Sequence, residues 1–224
     1  MIMINQESAI HSKQPKTIEV SGSNREIGRQ IGEAARMQVH HSLESAKLLL
    51  DEASDKLQLT WDGAIIQGKK YTPFAMERYP QYVDELAGIA EGADVPFDDL
   101  VTLNAMEAVT MDALHLTKCT SIAVNDLRTA NQHVLVAHNE DWIPEDEADV
   151  YIIHARPDHE PPFLAMTYGG LLPNIGFNAY GIAQACDSVY PTDSRIGIPR
   201  VVASRAVLAA HTPTEAIRHM LAPL

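Results

Sequence analysis

Apolar residues recur at helical spacing through the first half of the chain. Ser23 and Glu26 form a capping-box pattern, which predicts the start of a helix. The apolar positions behind this pattern predict an amphipathic helix that runs to about Leu57. They are Ile27, Ile31, Ala34, Ala35, Leu43, Ala46, Leu49 and Leu50. Two further helical regions follow, and Pro80 should interrupt the first of them because proline cannot donate a hydrogen bond to the preceding turn.

Glycines mark two features of this helical half. Gly28 and Gly32 lie one turn apart in the first predicted helix, which favours close packing against another backbone. Gly92 closes the apolar run that resumes after Pro80. Because glycine commonly follows the last turn of a helix, we expect that helix to stop there.

From Cys119 onward the pattern changes to short β-branched and apolar runs separated by polar turns. Two such runs, 119–124 and 133–137, flank a polar stretch and predict a β-hairpin. Other strands are predicted at 17–20, 150–154, 163–168, 171–176 and 181–186, and later helices at 199–210 and from Thr212 onward. Helices followed by consecutive strands and then by helices again indicate an α+β fold with a mainly antiparallel sheet.

Composition narrows the class of protein. The chain has 224 residues, of which 46% are hydrophobic, enough for one substantial core. No apolar run approaches the ~20 residues of a membrane span, and a formal net charge of −13 argues against nucleic acid and anionic membrane surfaces as partners. No secretory signal pattern is visible, so we expect a cytoplasmic protein with Cys119 and Cys186 reduced. No histidine pair has the spacing of a zinc helix, and no metal or other cofactor is predicted.

Cys119 is the first candidate for chemistry. It precedes two hydroxyl residues and a β-branched run, which places a thiol at the start of a strand. Taken alone, such a cysteine is more often a small half-buried hydrophobe than a nucleophile. The predicted hairpin, however, returns His138–Trp142 beside it and brings a carboxylate and an amide near the thiol. Trp142 and Tyr168 are candidates for an apolar substrate pocket, although aromatic residues at strand ends are more often part of the core.

Several stretches, in this order, resemble one enzyme family. They are Gly22–Gly28 with Gly32, Glu85–Ala93, Leu103–Asn104, Cys119–Ser121, Asn139–Trp142 and Gly176–Ala183. Each stretch is weak evidence by itself, but their order and spacing are specific and cover most of the chain. Together they resemble the acyl-CoA:6-aminopenicillanic acid acyltransferase family, a group of peptidase C45-like N-terminal-nucleophile (Ntn) hydrolases.

This resemblance implies a fold. Ntn hydrolases are αββα sandwiches, in which mainly antiparallel sheets stack between layers of helices. Residues 1–118 then correspond to a helical pro-segment and residues 119–224 to the first part of the nucleophile-bearing region, both packed as one domain. Relatives continue past the position that matches Leu224, so we expect the C-terminal part of the family fold to be lacking.

The resemblance also implies a mechanism. Family members cut their own chain before the cysteine, here between Lys118 and Cys119, and the freed α-amine then acts as the base for the thiol. The thiolate takes an acyl group from a small-molecule amide or acyl thioester, acyl-CoA among them, and passes it to water or an amine. Asp141 is implied to orient the cysteine and its amine, and Asn139 to help hold the oxyanion.

The chain departs from the family pattern at three positions. Lys118 stands where glycine usually precedes the cysteine, and a bulky side chain hinders the strained conformation that self-cleavage needs. His138 stands where bile-salt hydrolases have arginine. Asp187, which with Trp142 and Tyr168 is expected to contact substrate, stands where relatives commonly have asparagine, and an ionised carboxylate cannot donate to an oxyanion.

Two other functions stay open at this point. One is a catalytically inactive or unprocessed protein that keeps the Ntn fold as a binding or assembly module. A homo-oligomer is compatible with this function and with the enzyme. The other, less favoured, is a metal hydrolase that uses His133, His138 and Asp141 as ligands.

Overall fold

The computed structural model describes residues 14–110, 118–188 and 195–221. The helices are α1 (Asn24–Ala34), α2 (Arg36–Glu52), α3 (Ser54–Leu57), α4 (Trp61–Gly68), α5 (Thr72–Arg78), α6 (Pro80–Ala93), α7 (Phe97–Asn104), α8 (Met106–Val109), α9 (Arg200–Val207) and α10 (Pro213–Met220). The strands are β1 (Lys16–Gly22), β2 (Lys118–Val124), β3 (Leu135–Asp141), β4 (Val150–Pro157), β5 (Phe163–Tyr168), β6 (Ile175–Asn178) and β7 (Ala183–Gln184). No helix among these residues is long and apolar enough to cross a membrane.

The strands form two separate sheets. Five of them lie in the order β1-β4-β5-β6-β7, in which β1 runs parallel to β4 and the other neighbours pair antiparallel. The predicted hairpin forms from β2 and β3, which make a two-stranded antiparallel sheet of their own. The α+β class with a mainly antiparallel sheet is therefore confirmed.

Helices α1 and α6 cross at very short range, as the glycine spacing predicts. A Cβ atom added to Gly28 would overlap the carbonyl oxygen of Glu85, and one added to Gly88 would overlap that of Arg25. Gly32 and Gly92 meet the facing backbone in the same way. The four glycines let the two backbones touch, so any side chain at these positions would force the helices apart.

Some helix boundaries differ from the prediction. The helix expected to run to Leu57 breaks at Ala35, whose φ and ψ are −110° and 22°. The bend lets side chains of α2 donate to carbonyl oxygens at the end of α6, Arg36 to Gly92 and His40 to Ala93. The expected stop of α6 at Gly92 was also wrong. The helix continues to Ala93, and it ends at the next residue, Asp94, whose backbone is in the left-handed conformation. Gly92 serves helix packing instead.

A buried ion pair joins α6 to α9. The Arg205 guanidinium donates to both carboxylate oxygens of Glu85 at 2.9–3.2 Å, and neither side chain is exposed. Glu160, in the turn after β4, accepts a further bond from Arg205 at 2.9 Å. The guanidinium also lies 4.6 Å and 4.4 Å from the ring centroids of Tyr82 and Phe163. A charge removed from water is stable only with such partners, so this network holds α6, α9 and the sheet in one arrangement.

Candidate active site

The register of the β2–β3 hairpin decides which side chains face the cysteine. Cys119 pairs with Glu140 and Ser121 pairs with His138. Side chains of directly opposed residues lie on the same face of a sheet, and successive residues alternate between faces. Cys119, Ser121, His138 and Glu140 therefore share one face of the hairpin.

These four side chains form a hydrogen-bonded chain. The Cys119 Sγ atom lies 3.7 Å from Oε2 of Glu140, and the same oxygen lies 2.9 Å from Nε2 of His138. The other imidazole nitrogen of His138, Nδ1, lies 3.1 Å from the Ser121 hydroxyl. A thiol, a carboxylate, an imidazole and a hydroxyl are thus connected in sequence along the hairpin.

The surroundings of Cys119 keep its thiol protonated. Burial and the negative charge of Glu140 raise the pKa of the thiol above its ordinary value, against an opposing effect of backbone N–H groups at Asp141 and Ser188. A protonated thiol is a weak nucleophile, so chemistry at this sulfur needs a base that removes its proton.

Asn139 and Asp141 lie on the opposite face of the hairpin. Asp141 pairs with Lys118 and Asn139 pairs with Thr120, and both side chains are exposed. The structure therefore brings the thiol together with Glu140 and His138, whereas Asp141 approaches the sulfur only through its backbone. Sequence reasoning missed this pairing because a hairpin with a long turn does not reveal its register.

An apolar cavity lies beside the hairpin. Trp142 and Tyr168 form part of its wall, with ring centroids 5.8 Å apart. The remaining apolar lining comes from α2, from α7 and α8, and from the segment that leads into α9. The residues concerned are Ala46, Leu49, Leu103, Ala105, Met106, Ala108, Ile143, Leu171, Pro199 and Val201.

An ion pair stands in the wall of the same cavity. The Arg200 guanidinium donates to both oxygens of Glu107, at 2.7 Å and 2.9 Å. Burial works against the charge of Arg200, but the Glu107 carboxylate prevails and raises its pKa. Ser188 Oγ lies 3.5 Å from Glu107, and the Ser188 backbone acts on the Cys119 sulfur. Ser188 therefore lies between this ion pair and the thiol.

A second cavity meets the first at the same two rings. Trp142, Tyr168 and Asp146 line both cavities, and Glu140 lines the second. Glu140 also contacts the Cys119 sulfur, although Cys119 is not among the described residues that line either cavity. Asp187, the remaining predicted substrate contact, is exposed and lines neither cavity.

Two clusters within the described ranges bring three candidate metal ligands within 4.8 Å of one another. They are Cys119, His138 and Glu140 in one, and His41, Asp146 and Asp149 in the other. The ligand set considered from the sequence, His133, His138 and Asp141, is not among them.

Two other sequence motifs have structural roles. The buried amide of Asn104 donates to the carbonyl oxygens of Leu100 and Gly170 and accepts from the N–H of Leu172, which fixes α7 to the turn after β5. The buried amide of Asn178 closes its own turn and ties the end of β6 to the end of α9. It donates to Leu208 and Ala210 and accepts from Tyr180 and Ile182.

Comparison with known proteins confirms the family resemblance. Residues 127–221 match the family described as acyl-coenzyme A:6-aminopenicillanic acid acyl-transferase. The acyl-coenzyme A:6-aminopenicillanic-acid-acyltransferase 40 kDa form of Emericella nidulans is 23% identical over 201 residues, which cover 89% of this chain and 54% of the relative. The beta-alanyl-dopamine/carcinine hydrolase of Drosophila melanogaster is 28% identical over 162 residues, which cover 63% of this chain and 41% of the relative. The chain thus spans about half the length of the curated relatives it matches.

Proposed function

We propose that the protein is a cysteine-dependent acyl-transfer enzyme of the Ntn class, acting on an amide or acyl thioester through an acyl-Cys119 intermediate. The observation that carries the proposal is the position of Cys119, at the start of β2, on one face with an imidazole and with the Glu140 carboxylate that also lines a cavity. The names of the two relatives, one an acyltransferase and one a hydrolase, support transfer of an acyl group either to an amine or to water. The αββα sandwich, the division of the chain at residue 118 and a cytoplasmic location remain predictions.

Activation would begin with self-cleavage. The Cys119 sulfur attacks the carbonyl carbon of Lys118, the peptide C–N bond breaks, and the thiol proton passes to the departing nitrogen. The product is a thioester between Lys118 and the Cys119 sulfur. Water then hydrolyses the thioester, which leaves a carboxylate on Lys118 and a free α-amine and thiol on Cys119.

Glu140 and His138 are the groups placed to receive the thiol proton in the uncut chain. Glu140 Oε2 accepts from the Cys119 thiol at 3.7 Å, and His138 lies 2.9 Å from the same oxygen. Once the bond is cut, the α-amine of Cys119 replaces them as the base, since an α-amine has an ordinary pKa of about 7.7–8.0.

Asp141 fits a positioning role for this new amine. It stands opposite Lys118 in the β2–β3 ladder, so the amine released by cleavage at Lys118–Cys119 would lie next to it. Its carboxylate would hold the amine through charge and hydrogen bonding. Asn139 lies on the same face as Asp141, away from the Cys119 sulfur, and its proposed role as an oxyanion donor rests on the family resemblance and on the N–H groups of its amide.

The substrate is proposed to be a small-molecule acyl amide or acyl thioester, including acyl-CoA. Its acyl chain would lie in the apolar cavity against Trp142 and Tyr168, because burying apolar surface there contributes about 25 cal/mol per Å². Asp187 is proposed to contact the part of the substrate that stays outside the cavity, since its side chain is exposed.

Intact-mass measurement tests the proposal. The purified chain should split into two fragments at the Lys118–Cys119 bond, and Cys119→Ala should remain whole. Cys186→Ala is the matched control, because it removes the other cysteine of the chain and should leave cleavage unchanged. An uncut wild-type chain whose Cys119 forms no adduct with acyl thioesters would overturn the proposal.

One observation favours a binding or assembly module as a second candidate. Apolar side chains of the β2–β3 hairpin are exposed at 44–65% of their surface, among them Ile122, Val134, Leu135 and Val136. Exposed apolar strands are a common surface for pairing with another chain. Light scattering after size exclusion distinguishes the two: a stable oligomer with an unreactive thiol fits the module, and a monomer with a reactive thiol fits the enzyme.

A further inference from the structure

Three chemically different metal ligands meet on one face of the β2–β3 hairpin. They are the Cys119 thiol, the His138 imidazole and the Glu140 carboxylate, whose ligand atoms all lie within 4.8 Å of one another. Sulfur, imidazole nitrogen and carboxylate oxygen are the three donor types that proteins offer to zinc, whereas Mg²⁺ and Ca²⁺ prefer oxygen ligands. The set therefore points to a zinc ion and not to a hard cation.

The separations of these atoms are close to those around a tetrahedral ion. Zinc bonds of about 2.3 Å to sulfur and about 2.0 Å to nitrogen and oxygen place sulfur about 3.5 Å from oxygen, and nitrogen about 3.3 Å from oxygen. In the hairpin, Sγ of Cys119 lies 3.7 Å from Oε2 of Glu140, and that oxygen lies 2.9 Å from Nε2 of His138. Small side-chain shifts would bring both separations to the values of a zinc site.

The hairpin ladder and Ser121 orient the ligands. Cys119 and Glu140 are directly opposed in the ladder, and His138 lies on the same face opposite Ser121. The Ser121 hydroxyl lies 3.1 Å from Nδ1 of His138, where it can accept the ring N–H and leave the lone pair of Nε2 to a metal. Metal-binding histidines commonly have such a partner on the second ring nitrogen. The side chains of His138 and Glu140 are only 7% and 14% exposed, so solvent competes little for them.

Charge also favours a divalent ion at this cluster. A thiolate at Cys119 and the Glu140 carboxylate would place two negative charges 3.7 Å apart, and a doubly charged ion compensates both. The formal net charge of the chain is −13, which attracts cations to its surface.

We propose that Cys119, His138 and Glu140 bind Zn²⁺ in the uncut chain and that the bound ion keeps the chain uncut. Bonds form from zinc to Sγ, Nε2 and Oε2, water takes the fourth position, and the thiol proton leaves to solvent. The sulfur electron pair that would attack the Lys118 carbonyl carbon is then shared with the metal. Glu140 and His138 are occupied as well, so neither accepts a proton. The binding stands by itself, whereas the block on cleavage rests on the proposed function.

Cobalt substitution tests the binding. Co²⁺ added to the metal-free wild-type protein should give a thiolate-to-cobalt charge-transfer band in the near ultraviolet, which Zn²⁺ removes and excess Mg²⁺ does not. Cys119→Ala should abolish the band, and His138→Ala and Glu140→Gln should each weaken Zn²⁺ binding at least about tenfold. Cys186→Ala and His133→Ala are the matched controls, because they remove the other cysteine and a histidine outside the cluster, and both should bind as the wild type does.

The origin of the band decides whether the site exists. A wild-type protein without the band, a band that persists in Cys119→Ala, or a band that Cys186→Ala abolishes would overturn the site. The cluster of His41, Asp146 and Asp149 contains no thiol and cannot give this band. The wild-type and Cys186→Ala spectra stay decisive even if a substitution in the cluster unfolds the hairpin.

Intact mass with and without zinc tests the block on cleavage. Protein purified with Zn²⁺ present should remain whole, and transfer into EDTA should start cleavage at the Lys118–Cys119 bond. Zn²⁺ at about ten times its dissociation constant should slow the cleavage about tenfold, because about one chain in ten is then metal-free. Equal cleavage with and without zinc, in a protein that gives the cobalt band, would overturn the block and support only the site. A chain that gives the band and stays whole in EDTA would support the site and overturn both the self-cleavage and its block.

Discussion

The Glu140 carboxylate lies 3.7 Å from the Cys119 sulfur, directly opposite it in the β2–β3 ladder. A negative charge at this distance disfavours the thiolate, so the uncut chain holds its candidate nucleophile in the neutral form. Such a restraint is compatible with a precursor whose thiol becomes reactive only after a new base is released beside it.

The pH profile of Cys119 alkylation measures this restraint. Because burial and Glu140 both raise the pKa of the thiol, Glu140→Gln should lower it, and each unit of decrease raises the thiolate fraction about tenfold below that pKa. The measurement is the rate of iodoacetamide labelling of the uncut chain in a Cys186→Ser background. Glu147→Gln is the control, and an unchanged or higher pKa in Glu140→Gln would contradict the contact.

The buried pair of Glu85 and Arg205 should dominate the stability of the helix–sheet interface. Glu85→Gln leaves the Arg205 charge short of a partner in the core, and this should lower the free energy of unfolding by about 3 kcal/mol. Urea denaturation provides the measurement. Glu91→Gln, on the same helix, removes an exposed pair with Arg25 and should cost less than about 1 kcal/mol. Equal effects of the two variants would contradict the role assigned to burial.

The glycine contact between α1 and α6 predicts a strong dependence on side-chain size. Gly88→Ala places a methyl group against the carbonyl oxygen of Arg25, and the two helices must move apart. We expect a loss of about 1–3 kcal/mol in unfolding free energy, even though alanine favours helices. Gly197→Ala is the control, since an added Cβ there meets nothing within 4 Å. A neutral Gly88→Ala would mean that the helices are not in contact as described.

His41 should make stability depend on pH. Its hydrogen bond and charge interaction with Asp149 raise the pKa of the imidazole, so the folded protein binds this proton more tightly than the unfolded chain does. The resulting stabilisation is full below about pH 6.5, the ordinary histidine value, and is lost as pH rises through the folded-state pKa. His41→Gln should therefore reduce the fall in urea midpoint between about pH 5 and about pH 8.

Salt provides a second check on His41. Its side chain is 47% exposed, so added salt should weaken the ion pair and bring the wild-type pH dependence closer to that of the variant. Parallel pH profiles of wild type and His41→Gln at low salt would contradict the pairing with Asp149.

Local features of the fold are readable in the sequence. The Ser23 hydroxyl accepts from the Glu26 N–H, and Thr212 does the same for Glu215, because N-caps depend on residues three positions apart. Pro80 begins α6, and the run 163–168 forms β5, because backbone geometry and strand propensity act over a few residues. The place of Cys119 at a strand start follows from the same local rules.

Which side chains meet at the candidate site depends on tertiary contacts. A slip of one residue in the hairpin would put Asp141 or Asn139 on the face of Cys119 in place of Glu140, since side chains alternate along a strand. The pairing of Glu107 with Arg200 joins positions 93 residues apart, and no local pattern encodes such a contact. Local sequence patterns predict most of the elements and the presence of a thiol at a strand start, but not the break between α1 and α2. The packing of distant elements determined the neighbours and the protonation of the thiol, because these depend on contacts between residues far apart in the chain.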